Sequence, residues 1–341
     1  MGNISAHQVI VYHDETKDAQ GRNFKGHVLL FVPVNLSVTN ITPLFGKTVE
    51  NYSPQRMLFT KLIECRQEFA CYGKLHFSEL SGQTWKKYDF AYRNTIEIMV
   101  DALRHKSPSL FPFPLKCKIA AIFYEKGADW KIYGGDTRKE QILRHDETLL
   151  RILLKGAAHY LYDDENTIEV TGLITDGNPA HRQFNEDRVL WRLTHDDQFG
   201  RKPLRDYVNF SPSLYINHLP SNHNEYEYDS EEYLNANFLQ IADLLLGSII
   251  RAGYKGITPR KLLPKIGEQC VKKDIIAQPI KEMLDKKSRG SGFLHSSHYK
   301  AFTISKVDFT KGGVNFTELN SIQIQDQESL QMPLDFHEEM T

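Results

Sequence analysis

The chain has 341 residues, 40% of them hydrophobic and 25% charged, with a formal net charge of -1. That length buries a sizeable core, in one large domain or in one domain with an appendage. So even a charge balance says nothing about partners, while no apolar run approaches the roughly 20 residues that cross a bilayer.

In chain order, residues 7–12 read as a strand with the acidic turn Asp14-Glu15-Thr16-Lys17-Asp18 after it, and 26–34 as its hairpin partner. Residues 53–72 read as a helix, because Ser53-Pro54 is a good start and Met57, Leu58, Leu62 and Phe69 recur between charges. A short extended piece is expected at 74–80, a helix at 84–105 and a Pro-rich loop at 107–114. A strand at 116–124, an amphipathic helix at 138–162 and a strand at 167–175 follow, the last ended by Asp176-Gly177-Asn178-Pro179. Next come a helix at 180–193, a weaker strand at 214–219 and a helix at 230–252 capped by Ser230, with Glu231 and Glu232 in its first turn. An amphipathic helix at 259–287 and a strand at 300–309 close the ordered pattern.

Charge is uneven late in the chain. Residues 251–311 hold fourteen Lys or Arg against five Asp or Glu, a stretch that suits a polyanion. Residues 320–341 carry five acids and no Lys or Arg, which reads as a flexible tail able to shield the basic stretch. Cys65, Cys71, Cys117 and Cys270 match no zinc spacing and read as reduced thiols, and residues 1–8 lack the features of a signal peptide. The expectation is a cytoplasmic protein.

Strands alternating with helices after a hairpin argue for an α/β fold with a mixed sheet, whose sites form at strand carboxyl ends. Asp14 and Asp176 fall at such ends, and Asp243 sits inside the apolar run Leu239 to Leu246. A buried carboxylate is costly unless it is paired or binds a metal, so three such positions suggest one shared centre. Asn237, Gln240 and Asp243 are three apart on a helix apolar nearly all round, with Gly247 under the same stripe to let another segment come close. Each position has a plainer explanation: a turn-initiating Asp at 14 and 176, a surface pair at His76 and Glu79, a hydrogen-bond network on the late helix. His13 alternates to the opposite face of its strand and reads as structural. Together, carboxylates in this order suit two hard cations about 4 Å apart, magnesium or manganese rather than zinc.

Tyr12-His13-Asp14-Glu15-Thr16, Leu75-His76-Phe77-Ser78-Glu79-Leu80, a strand ending in Asp176 and Leu239-Gln240-Ile241-Ala242-Asp243-Leu244 resemble the signatures of the domain of unknown function 3800 family. The likeness spans roughly residues 8–252. It implies a ribonuclease H-like mixed sheet flanked by helices, forming a catalytic domain over 1–252. A basic C-terminal extension, 253–319, would pack on that core, with the acidic tail at 320–341. It also implies Asp14 as the ligand bridging two Mg2+ or Mn2+ ions, Glu79 and Asp176 as outer ligands and Asp243 as the helix-borne ligand. Glu15 is an alternative to Glu79, and His76, Asn237 and Gln240 would stand behind the ligands or touch substrate. Thr16 stands where the family often has Ser.

The function expected is a metal-dependent phosphodiesterase, a nuclease on DNA or RNA held by the basic stretch, and defence against phage or mobile DNA would suit it. The alternative is a non-catalytic nucleic-acid or protein binding module with the same fold. A third reading is a zinc hydrolase using His76 with the carboxylates.

Overall fold

The computed structural model describes residues 3–16, 24–39, 52–80, 82–105, 108–125, 134–162, 168–177, 183–190, 198–199, 202–203, 208–252, 268–285, 299–310 and 313–318. The chain opens with β1 (Asn3–Glu15) and β2 (Phe24–Thr39), an antiparallel pair in which Asp14 lies opposite Val28. Helix α1 (Pro54–Glu68) starts on the Ser53 side chain, which accepts from Arg56 N, and it buries Leu58 and Leu62. Helix α2 (Gly82–Ala102) leads to β3 (Lys118–Glu125), antiparallel to β2. Helix α3 (Arg138–Leu161), capped by Thr137, crosses to β4 (Ile168–Asp176), which returns parallel to β1.

After β4 come the short helix α4 (Glu186–Leu190), the small hairpin β5 (Gln198–Phe199) and β6 (Lys202–Pro203), then β7 (Val208–Phe210) and β8 (Ile216–Leu219). Both β7 and β8 run parallel to β4, one along each half of it. Helix α5 (Glu231–Ala252) starts on Ser230, whose Oγ accepts from Tyr233 N. Helix α6 (Glu268–Asp285), β9 (Phe302–Thr310) and β10 (Gly313–Glu318) complete the described chain. The result is an α/β fold around an eight-stranded mixed sheet of order β10-β9-β3-β2-β1-β4-β7, with β8 beside β4.

Alternation along β1 divides the core in two. Val9 and Val11 enter the cluster under α3, while Tyr12 enters the one under α1, α2, α5 and α6. Tyr12 bolts its cluster together: its ring stacks on Phe238 at 4.9 Å, its hydroxyl donates to Asn235 Oδ1 at 2.8 Å, and Gln55 Nε2 donates to it at 2.7 Å. Helix α5 meets the length and composition of a membrane span, but 78% of that window is buried in the protein, so its apolar surface covers sheet and helices.

Four expectations change. Residues 74–80 are not simply extended, because Phe77–Glu79 form a 3-10 turn capped by the His76 side chain. Of the helix expected at 180–193, only Glu186–Leu190 is helical among the described residues. The segment expected to pack on the core as an extension also builds the sheet: β9 pairs in parallel with β3, and β10 pairs with β9. Strands β5, β6, β7 and β10 were not foreseen, the first three being only two or three residues long. Residues 253–267 and the acidic tail at 320–341 lie outside the described residues. Cys65, Cys71 and Cys117 are buried.

Candidate functional site

The parallel register of β1 and β4 pairs His13 with Thr175. Asp14 and Asp176 are the next residues on each strand, so they end neighbouring strands side by side on the face that carries Tyr12 and Ile174. Helix α5 packs across that face and adds Asp243. Asp14 is 6% exposed. Its carboxyl is pushed well above the usual carboxylate range by burial first, and then by the charges of Asp243, Asp176 and Glu15. Asp243 is raised too: burial outweighs His76, a hydrogen bond from Phe77 and Lys74, which lower it, and Asp176 raises it further. The three acids expected to meet therefore act on one another. They do not reach the spacing, all ligand atoms within 4.8 Å of one another, that Glu15, His27 and Asp146 meet on the other side of the sheet.

The stripe on α5 explains how the loops around these acids are held. Gln240 is fully buried. Its Oε1 accepts from Arg66 Nη2 at 2.6 Å and from Leu75 N at 2.7 Å, and its Nε2 donates to Ser221 O at 2.6 Å and meets His223 Nδ1 at 2.9 Å. One turn on, Asp243 Oδ2 accepts from Phe77 N at 2.6 Å. Gln240 and Asp243 thus grip alternate amides of one loop. At Gly247 a Cβ would stand 2.3 Å from Phe77 Cγ, so only glycine lets that ring lie against the helix, the close approach expected of this position. Ser221 is held twice, because its N–H donates to Asp176 Oδ1 at 3.0 Å while its carbonyl takes Gln240.

The remaining expected residues fall as follows. His76 borders the site, with Nδ1 3.6 Å from Asp243 Oδ2 and 2.7 Å from Ser78 Oγ. Glu79 ends the 3-10 turn and is exposed, and it is not among the groups that weigh most on Asp14 or Asp243. Asn237 is buried and donates to Tyr233 O at 2.8 Å within its own helix, while its Oδ1 has no partner among the described residues. Gln240 leaves no amide position for a substrate. Its place is behind the acids, holding loops. Glu15 departs most from expectation. Instead of joining Asp14 it turns to the α3 face, as strand alternation requires, with its Oε2 3.8 Å from His27 Nδ1.

The motif reading missed Arg66 and His223. Arg66 is 4% exposed and donates to Gly73 O at 3.1 Å as well as to Gln240. Burial and the nearby Arg66 charge hold His223 down at about 4. An arginine within a helix gives no sequence sign of burial, so neither was legible. From the basic stretch, Lys273 reaches the site loop, donating to Ser78 O at 3.2 Å and lying over the Phe77 ring. Arg251 is instead tied to Asp274. Compared with known proteins, the chain matches no family model, no curated protein and no solved structure.

Proposed function

We propose that the protein is a metal-dependent phosphodiesterase, a nuclease, with its reaction centred on Asp14, Asp176 and Asp243. The observation that carries this is the convergence of three carboxylates from two strand ends and a helix, with Asp14 buried and its charge opposed by the other two. Such repulsion is stable in a fold where a cation relieves it. An all-oxygen donor set suits a hard ion, Mg2+ or Mn2+. Asp14, Asp176 and Asp243 would hold the metal, which when bound would supply charge stabilisation and an activated water. A meander of β1, β2 and β3 with β4 returning parallel beside β1 supports the ribonuclease H-like reading, as does a motif order that resembles that of the domain of unknown function 3800 family.

The protein's own groups have roles apart from the metal. Gln240 and Gly247 fix the 75–77 loop, and Ser221 fixes one oxygen of Asp176. Lys74 adds positive charge near Asp243 and Lys273 adds it on the adjoining 77–78 turn, where a phosphate backbone would lie. The test is incubation of the full chain with single- and double-stranded DNA and RNA and Mn2+ or Mg2+. Cutting should occur, weaken with rising salt, and vanish in folded Asp14→Asn and Asp243→Asn chains. Undiminished cutting in both variants, or no cutting of any substrate, would overturn the reading.

A further inference from the structure

We propose that Glu15, His27 and Asp146 form a second metal site, for a divalent first-row transition ion, on the α3 face of the sheet. The three residues come from β1, β2 and α3, and one ligand atom from each lies within 4.8 Å of the others. His27 sits between the two acids, with Nδ1 3.8 Å from Glu15 Oε2 and Nε2 3.9 Å from Asp146 Oδ1. Atoms bound at about 2.1 Å to one ion lie roughly 3 to 4 Å apart, so small side-chain movements complete the set.

The surroundings prepare these groups as ligands. His27 Nδ1 lies 3.0 Å from His13 Nε2, and His13 Nδ1 lies 2.7 Å from Thr175 Oγ1. A ligating histidine ordinarily has its second nitrogen hydrogen-bonded, which fixes the ring and its tautomer. Here Nε2, the nitrogen facing Asp146, is the one that would turn to the ion. Tyr124 donates its hydroxyl to Asp146 Oδ1 at 2.9 Å, orienting the carboxylate, and its ring stacks along His27. His27 and Asp146 are each 1% exposed, while Glu15 is partly open and gives the ion an entry. One imidazole with two carboxylates is a mixed donor set, which favours zinc, manganese or iron over magnesium or calcium. The ion would fasten α3 to the first two strands. The rival arrangement is a protonated His27 bridging two carboxylates without metal.

To decide, the metal-stripped full chain is titrated with Zn2+, Mn2+ and Mg2+, and bound metal is counted after gel filtration. The site predicts one retained Zn2+ or Mn2+ per chain, kept in Asp14→Asn and Asp243→Asn, with affinity lower by about 100-fold or more in Glu15→Gln and Asp146→Asn. Should the buried Asp146→Asn chain fail to fold, Glu15→Gln and the wild type still decide. Pulsed EPR of bound Mn2+ should show a directly bonded imidazole nitrogen in the wild type, unchanged in His76→Ala. No retained transition metal, retention indifferent to Glu15→Gln, or a nitrogen signal absent or lost with His76 would each overturn the proposal. Cleavage plays no part in this readout, so a chain that binds the ion and cuts nothing supports this site while removing the nuclease reading.

Discussion

The two faces of the sheet at the end of β1 are built from similar residue types but wired differently. On the α5 face, polar side chains seize backbone: Gln240 takes Leu75 N and Ser221 O, Asp243 takes Phe77 N, and Asp176 takes Ser221 N. On the α3 face, polar side chains bind one another: His13 to His27 and Thr175, and Tyr124 to Asp146. The first wiring arranges loops around acids whose charges stay in mutual opposition. The second is a cluster that links four strands to a helix. Three consecutive residues, His13, Asp14 and Glu15, feed both because a strand presents its side chains alternately.

The contrast breaks most visibly at Asp14. Cleavage should fall on the order of 10³-fold or more in Asp14→Asn and Asp243→Asn. In chelator, Asp14→Asn should melt above the wild type, because the buried charge it removes is raised by burial and by its acidic neighbours. A lower melting point would mark the α5 face as a structural network instead. Next in size, Gln240→Ala should cost about 3–5 kcal/mol in denaturant unfolding, since it strands the buried Arg66 guanidinium and two backbone groups.

Gly247→Ala should cost roughly 1–3 kcal/mol and weaken cutting, by driving Phe77 and its loop away from α5. An unaltered chain there would show that the loop is not gripped. The smallest effect is a pH slope. Below pH 6.5 an unfolded histidine takes a proton, but His223 holds out to about 4, so the unfolded state binds more protons and stability falls across that window. His223→Gln should flatten part of that fall in unfolding curves measured from pH 7 to 4.

Much of this was legible from the sequence, and the remainder was hidden for identifiable reasons. Strand ends, helix caps and the small residue at 247 leave local signatures, so β1, β4 and α5 could be anticipated, with Asp14 and Asp176 on neighbouring strands and Asp243 on the helix across them. Glu15 could have been placed better, because alternation already sent His13 to the far face and the same count sends Glu15 there. His27 and Asp146 could not be found by motif, since they become neighbours only when α3 packs across β2 and β3. The role of Gln240 depended on Arg66 and Ser221, 174 and 19 residues away in the chain.

The pairing of β3 with β9 bears on how the molecule is made. Ile119 and Phe302 are register partners although most of the polypeptide separates them. During synthesis the hairpin of β1 and β2 and then β3 can assemble early, yet the outer rim of β3 stays bare until the ribosome has released β9. That rim, rich in apolar residues such as Ile119, Ala121 and Phe123, is a ready template for adventitious strand addition between nascent chains. Variants shortened before residue 302 should therefore clump rather than fold as a smaller protein.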